Sequence, residues 1–187
     1  MKQTAIIVVG LVVLGLVGYG ITVVWNRSIT PSSNTRSTRA LEASPDFSLQ
    51  DYEGNTIRRS QFLGKALVLN CWASWCPFCV EELPDFARVQ EEFGGQAVVI
   101  AINRAESQVT AKKFSDQVGV TGRLTLLLDP ADSFYRSIGG FSMPETIFVD
   151  KDGFIRHHKR GPMDVSEIRG RVTRLLEGVD SSLPSVQ

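Results

Sequence analysis

Two cysteines, Cys76 and Cys79, stand between an apolar run and a helical pattern, and their spacing indicates redox chemistry. Upstream, residues 66–72 form a near-continuous apolar run of the kind that fills a strand buried on both faces. Downstream, apolar residues recur at helical spacing until Gly94 and Gly95 end the pattern. Cys76 therefore lies at the N-terminus of a predicted helix, where unpaired N–H groups and the helix dipole favour a thiolate.

The spacing of the pair suits dithiol–disulfide exchange. Pro77 fits the first helical turn because it needs no N–H and its φ is already helical. Cys79 lies three residues after Cys76 and shares its helix face, close enough for the two sulfurs to bond. We expect an exposed, activated Cys76 thiolate with Cys79 as a resolving thiol one turn away.

A zinc half-site and a static structural disulfide are the alternatives for this pair. A tetrahedral zinc site needs four ligands, and the chain adds only Cys71 and the adjacent His157 and His158, which lack ligand spacing. A bridge across two residues closes a very small loop and would stabilise little. The joint occurrence of strand, C-x-x-C and helix favours redox chemistry, with no metal and no cofactor expected.

Composition narrows the function classes. The 187 residues suffice for one domain plus a tail or an anchor. Lys+Arg and Asp+Glu both number 20, no basic cluster is present, and aromatic residues are only 9%, so nothing indicates nucleic-acid binding. Three cysteines are too few for a disulfide scaffold.

The N-terminal stretch has the length and composition of a membrane span. Residues 3–26 carry no charge, and at about 1.5 Å rise per residue they can cross a hydrocarbon core of about 30 Å. A cleavable signal peptide would have a shorter apolar core, and a lipoprotein would need a cysteine just after that core. We expect an uncleaved anchor at 1–26 and a flexible Ser-, Thr- and Arg-rich linker at 27–42.

Strand and helix patterns alternate through the rest of the chain. A hairpin is predicted from residues 45–50 and 56–58, and a single helical turn from 60–64. Further strands are predicted at 66–72, 97–103, 124–129, 145–150 and 154–158, and helices at about 77–93, 107–118, 131–138 and 164–177. This order implies an α/β domain with a mixed sheet covered by helices on both faces.

The sequence resembles the membrane-anchored thioredoxin-like proteins of the TlpA/ResA group, thiol–disulfide oxidoreductases related to the cytochrome c maturation reductant CcmG. The resemblance covers about residues 43–178. The residues that carry it are Pro45-Asp46-Phe47, the run Leu69-Asn-Cys-Trp-Ala-Ser-Trp-Cys-Pro-Phe-Cys79, Glu82, Pro84 and Met143-Pro144.

The resemblance implies a thioredoxin fold at residues 43–180, with an N-terminal β-hairpin extension and a central insertion at about 104–128. A single transmembrane helix at 1–26 would precede this domain, and residues 181–187 would form a C-terminal tail. The resemblance also implies that Pro84, inside the first long helix, kinks that helix.

The resemblance further implies roles at matching positions. Cys76 would be the attacking cysteine and Cys79 the resolving one. Pro144 matches a cis-proline that faces the disulfide and presents backbone to a bound substrate. The residues expected to bind substrate are Trp75, Pro77, Phe78, Met143 and Pro144.

Glu82 is the candidate proton acceptor of the site. Thioredoxins carry a buried Asp where this chain has Asn70, and an amide cannot shuttle a proton. Glu82 lies one helical turn beyond Cys79 and matches a glutamate used in the TlpA/ResA group, so we expect it to assist deprotonation of Cys79. The alternative is that Glu82, like Glu81, only complements the helix dipole.

Three other side chains lie in or near the motif, namely those of Cys71, Trp72 and Trp75. In a buried strand, Cys71 is expected to behave as a small hydrophobe. Trp75 is expected to line the site, and Trp72 either lines it too or belongs to the core.

These features favour a membrane-tethered thiol–disulfide oxidoreductase that exchanges the Cys76–Cys79 pair with protein thiols and disulfides. The resemblance implies a reductant in extracytoplasmic protein or cytochrome c maturation, held in a bacterial cell membrane with a periplasmic catalytic domain and a membrane electron donor. Charge alone does not give this placement, because Arg27, Arg36 and Arg39 follow the span and would favour a cytoplasmic domain.

Two other functions compete with this interpretation. A peroxidase of the peroxiredoxin type shares the fold family but uses a lone peroxidatic cysteine, which the C-x-x-C spacing argues against. A copper-binding assembly factor could use Cys76, Cys79 and either Met143 or a histidine as soft ligands. Such factors usually space their cysteines more widely.

Overall fold

In the computed structural model, residues 42–178 are described, and within that range one mixed sheet of seven strands carries helices on both faces. The strands are β1 (Ser48–Asp51), β2 (Thr56–Arg58), β3 (Ala66–Trp72), β4 (Ala97–Arg104), β5 (Thr125–Asp129), β6 (Glu145–Val149) and β7 (Ile155–Arg160). The helices are α1 (Pro77–Phe93), α2 (Gln108–Gln117), α3 (Ser133–Ser137) and α4 (Val165–Glu177), with a 3-10 turn at Arg59–Phe62. The predicted order of elements is confirmed.

Strand β3 lies inside the sheet, whose strand order is β2-β1-β5-β4-β3-β6-β7. It pairs in parallel with β4 and antiparallel with β6, and all of its residues are buried. Val68 and Trp72 point into one hydrophobic core, whereas Leu67, Leu69 and Cys71 point into the other. Because both faces are covered, the strand is apolar except for Asn70, as its near-continuous apolar run predicted.

Four residues separate β3 from helix α1, and the two cysteines lie at the N-cap and in the first turn of that helix. Cys76 occupies the N-cap position, and the Cys79 N–H lies 3.2 Å from the Cys76 Sγ. Pro77 is the first helical residue, as expected for a side chain without a backbone N–H. The helix continues through Pro84 to Phe93.

Polar caps fix the starts of two other helices. The Ser107 Oγ accepts a hydrogen bond of 3.2 Å from the Thr110 N–H at the start of α2. The Asp164 carboxylate accepts one of 2.8 Å from the Glu167 N–H at the start of α4. Both caps satisfy N–H groups that the helix itself leaves unpaired.

The predicted anchor at 1–26, the linker up to residue 41 and the tail at 181–187 lie outside the described residues. Among residues 42–178, no helix has both the length and the apolar character needed to cross a membrane.

Candidate active site

Cys76 and Cys79 form a disulfide at the start of α1, with their Cα atoms 5.4 Å apart. The prediction of an exposed Cys76 is wrong for this oxidised form, because the residue is only 2% exposed. The chain folds back after β3, where the Cys76 N–H donates a hydrogen bond of 3.1 Å to the Ala73 carbonyl. This turn directs Cys76 toward Cys79 and the core.

Exposed side chains surround the buried disulfide. Trp75, Pro77 and Phe78 are all exposed and lie directly beside the cysteines in the chain. Trp72, by contrast, is fully buried and stacks on Phe114 with ring centroids 5.3 Å apart. Of the two expectations for Trp72, the structure confirms the core position.

Pro144 lies at the same edge of the sheet as the disulfide. The Met143–Pro144 peptide is cis, as predicted. The next residue, Glu145, pairs with Cys71 near the carboxyl end of β3, from which the chain continues to the cysteines. Met143 packs against the core that contains both cysteines, and within residues 42–178 its backbone N–H and C=O make no hydrogen bond.

Glu82 is buried beneath the first turn of α1 and is held by donors from two other elements. Its Oε1 accepts a hydrogen bond of 3.1 Å from the Met163 N–H, and its Oε2 one of 3.3 Å from the Asn70 side-chain amide. The same amide donates to the Thr146 hydroxyl at 3.0 Å. Glu81, in contrast, points to solvent.

The environment of Glu82 favours its protonated form. Burial raises the pKa of Glu82 to about 8, although the hydrogen bonds from Met163 and Asn70 lower it. Lys159 lowers this pKa slightly and Glu167 raises it. A carboxyl group that titrates close to neutral pH is able to take up and release a proton during exchange.

Glu106 holds the loop that leads to Cys76, and the sequence analysis missed it. Its carboxylate accepts hydrogen bonds from the Ser74 N–H at 2.8 Å, the Ser74 hydroxyl at 2.5 Å and the Asn103 amide at 2.7 Å. The residue before it, Ala105, has a φ of 54°, a left-handed conformation that costs about 1–3 kcal/mol in a non-glycine residue. A polar residue just beyond the carboxyl end of β4 was the available signal.

Glu145 was also missed, although it is a charged residue at the start of the buried strand β6. Its side chain is fully buried, and its Oε2 accepts hydrogen bonds from the Phe141 and Ser142 N–H groups at 3.0 and 3.1 Å. Its Oε1 lies 2.6 Å from the His158 Nε2 and 3.2 Å from the Arg160 Nε. Glu145 therefore joins β7 to the loop that carries Pro144.

The third cysteine does not belong to this site. Cys71 is a free, buried cysteine in the core on the opposite face of β3 from Trp72. Burial raises the pKa of Cys71 well above its usual value, and nearby Glu145 and Asp129 raise it further. The thiol stays protonated and fills space, so the prediction that it behaves as a small hydrophobe is confirmed.

The side chains of His157 and His158 point to opposite faces of the sheet, as those of adjacent residues in a strand do. His158 pairs across the sheet with Ile147 and contacts Glu145, whereas His157 pairs with Phe148 and packs against its ring. Among residues 42–178, no group of three or more His, Cys, Asp or Glu side chains is arranged to hold a metal ion.

The arrangement is suited to moving two electrons and a proton. A disulfide at a helix N-terminus accepts two electrons from thiols, and the sulfur released at the N-cap is stabilised as a thiolate. The buried carboxyl of Glu82, one helical turn beyond Cys79, lies on the same helix face and can exchange a proton there.

Known relatives place the chain in a family. Residues 41–158 match the AhpC/TSA family. The thiol-disulfide oxidoreductase ResA of Geobacillus thermodenitrificans is 30% identical over 126 residues, which cover 67% of this chain and 71% of that protein. ResA of Geobacillus kaustophilus is 29% identical over 169 residues, which cover 89% of this chain and 90% of that protein. The thiol:disulfide interchange protein DsbE of Allochromatium vinosum is 34% identical over 126 residues, covering 64% of this chain and 66% of that protein.

Solved structures show the same fold. DsbF of Mycobacterium tuberculosis (MTB), in its mixed oxidised and reduced forms, has a TM-score of 0.66 and 28% identity and covers 72% of this chain and 98% of that one. The exposed lipoprotein thioredoxin Etrx1 of Streptococcus pneumoniae has a TM-score of 0.60 and 29% identity, covering 70% of this chain and all of that one. The chain belongs to the AhpC/TSA family and is a thiol–disulfide oxidoreductase with the thioredoxin fold.

Proposed function

We propose that this oxidoreductase is a membrane-tethered reductant of disulfides in extracytoplasmic proteins. Cys76 is the attacking cysteine and Cys79 the resolving one. The observation that carries the proposal is the disulfide at the start of α1 with a buried carboxyl, Glu82, one helical turn beyond it.

The reaction begins with the reduced pair. The Cys76 thiolate attacks a substrate disulfide, forms a mixed disulfide and releases one substrate sulfur, which takes up a proton. The Cys79 sulfur then attacks the Cys76 Sγ, releases the second substrate sulfur and leaves the Cys76–Cys79 disulfide. Two electrons pass from the enzyme to the substrate, which gains two protons as it becomes a dithiol.

Glu82 accepts the proton of Cys79 in the second step. Because burial raises the pKa of Glu82 to about 8, its carboxylate is a stronger base than that of an ordinary glutamate and can take up this proton. The neutral donors Asn70 and Met163 hold the carboxyl group in place in either protonation state.

The substrate lies across the exposed rim of the disulfide. Trp75, Pro77 and Phe78 provide an apolar surface on one side. On the other side, the Met143 backbone beside Pro144 is available to pair with an extended segment of the substrate, as a strand edge does in peptide recognition.

Two arguments support the cellular placement. Residues 3–26 carry no charge and are long enough to span a bilayer. The resemblance to the TlpA/ResA group implies a periplasmic catalytic domain, apocytochrome c as a substrate class and a membrane protein that returns electrons to the Cys76–Cys79 pair.

The reduction potential of the Cys76–Cys79 pair tests the direction of electron flow. The purified full-length chain would be equilibrated in dithiothreitol or glutathione buffers, with tryptophan fluorescence as the signal and C76S as the control. We expect a reduction potential of about −270 mV, in the range of thioredoxin, because the proposed enzyme donates electrons. A potential near about −120 mV, as in DsbA, would contradict the proposal and indicate an oxidant.

The same preparation separates the alternative functions. A peroxidase would be oxidised by hydrogen peroxide far faster than by a protein disulfide. A copper-binding factor would take up one Cu(I) tightly in the reduced state, lose it in C76S and show no disulfide exchange.

A further inference from the structure

Phe141 is an exposed aromatic side chain on the loop that carries the cis-proline. The loop, residues 139–144, joins α3 to β6 and lies at the same edge of the sheet as the disulfide. Phe141 is 77% exposed. Large apolar side chains held in solvent beside an active site are characteristic of binding surfaces.

Buried Glu145 fixes the backbone on which Phe141 stands. The Phe141 and Ser142 N–H groups both donate to one Glu145 oxygen, at 3.0 and 3.1 Å. Burying a carboxylate is costly unless it is well compensated, and Glu145 is compensated by two backbone donors together with His158 and Arg160. This loop therefore has a defined shape.

Tyr135 fixes the loop from the helix side. Its hydroxyl donates a hydrogen bond of 2.8 Å to the Ser142 carbonyl, and its own carbonyl accepts one of 3.0 Å from the Gly140 N–H. A Cβ atom at residue 140 would lie 2.5 Å from the Tyr135 ring, so only glycine fits against it. The backbone on both sides of Phe141 is thus anchored.

The Phe141 ring itself has a defined support. The Arg160 guanidinium lies 4.7 Å from the ring centroid, and the Nε of the same guanidinium is 3.2 Å from Glu145. This cation–π contact orients the ring, while most of its surface faces solvent. An oriented aromatic ring loses little conformational entropy when a partner packs on it.

We propose that Phe141 determines substrate specificity by packing on apolar side chains that flank the disulfide of a polypeptide substrate. The proposal rests on the proposed function. Trp75 and Phe78 are exposed beside the cysteines, and Phe141 is exposed on the loop that leads to Met143 and Pro144. Phe141 is two residues before Met143 in the chain, so a polypeptide that pairs with the Met143 backbone can also contact Phe141. A small disulfide needs to reach only Cys76.

A ratio of two activities tests this role. The full-length chain and F141A would be assayed, in the reduced state, on hydroxyethyl disulfide and on a synthetic peptide whose single disulfide is flanked by leucine and phenylalanine. We expect F141A to lower the ratio of kcat/KM for the peptide to kcat/KM for the small disulfide about tenfold. The change should lie mainly in KM for the peptide, because the contact between the Phe141 ring and the apolar side chains of the peptide is lost. F141L should restore part of the ratio, since it keeps an apolar side chain.

Leu63 offers a matched control. It is 71% exposed but lies before β3, at the opposite end of that strand from the disulfide, so L63A should leave the ratio unchanged. An F141A enzyme with an unchanged ratio, or one that loses both activities in parallel, would overturn the role of Phe141. If the unmodified chain reduced neither substrate, the proposed function itself would fail.

Discussion

Glu82 and Glu145 are both buried carboxyl groups, but they have different partners. Glu145 contacts the side chains of Arg160 and His158 in addition to two backbone N–H groups. The donors to Glu82 are neutral, namely the Asn70 amide and the Met163 N–H. Burial raises the pKa of Glu82 to about 8, because these donors do not offset the loss of water around its carboxylate.

The difference between the two glutamates indicates two uses of a buried carboxyl group. Glu145, with a guanidinium beside it, holds three segments together: β6, β7 and the loop at 139–144. Glu82 can exist in either protonation state near neutral pH and is therefore suited to proton transfer. Burial alone does not distinguish these uses, whereas the charge of the hydrogen-bond donors does.

The largest effect is expected from removing the Glu145 carboxylate. E145A leaves His158, Arg160 and two backbone N–H groups without their acceptor, so we expect the free energy of unfolding at pH 7 to fall by about 2–4 kcal/mol. Urea unfolding of the full-length chain measures this change. E81A, which removes an exposed carboxylate, is the control and should cost less than about 0.5 kcal/mol.

A loss below about 1 kcal/mol in E145A would break the comparison, because it would mean that the groups around Glu145 do not depend on its carboxylate. The same variant should also free the Phe141 and Ser142 amides. Faster hydrogen exchange at both positions than in E81A would show that the loop has lost its anchor.

The second effect concerns catalysis by Glu82. E82Q keeps the shape of the protonated acid but cannot accept a proton, so we expect resolution of the mixed disulfide to slow by about 100-fold, the lower end for general acid–base catalysis. In the unmodified enzyme this rate should rise with pH through about 8, as the Glu82 carboxylate accumulates. Stopped-flow fluorescence between pH 6 and 9 would measure how this rate depends on pH in the unmodified enzyme and in E82Q.

E81Q is the matched control for this experiment, because Glu81 lies on the same helix but faces solvent. An E82Q enzyme that kept the unmodified rate and the same inflection would assign the proton transfer to another group. Glu82 would then have no role in proton transfer to contrast with the structural role of Glu145.

The sequence predicted the features of the site that depend on local pattern. The apolar run of β3, the helical spacing after Cys76 and the three-residue step from Cys79 to Glu82 all report on neighbours along the chain. The positions of both cysteines and of Glu82 on α1 followed from these patterns. The cis geometry at Pro144 came from the family resemblance, because an isolated proline does not indicate it.

The contacts that hold the loops of the site were not predictable in this way. Glu106 reaches Ser74 across 32 residues of sequence, and Glu145 meets His158 only because β6 and β7 pair. Neither carboxylate has a spacing signal, since its partners are set by strand register. The burial of Cys76 was missed for a similar reason, because it depends on how the chain turns after β3.

A further effect is expected in how stability depends on pH, and its sign follows from the shift in the pKa of Glu82. The ordinary pKa of a glutamate side chain is 4.5, and burial raises the pKa of Glu82 in the folded chain to about 8. Between those values the unfolded chain releases the proton while the folded chain keeps it. The free energy of unfolding should therefore fall by up to about 1.4 kcal/mol per pH unit across this window, from this group alone.

E82Q isolates that contribution, because glutamine does not titrate. Below about pH 4.5 the unmodified chain and E82Q should respond to pH in the same way, since Glu82 is protonated in both folded and unfolded states. As pH rises toward 8, the difference in unfolding free energy should shift steadily in favour of E82Q, and above 8 it should level off. Urea unfolding at pH 5, 6.5 and 8 would measure this shift. Parallel curves would mean that Glu82 is ionised in the folded chain at neutral pH, which would contradict the rise in its pKa on burial.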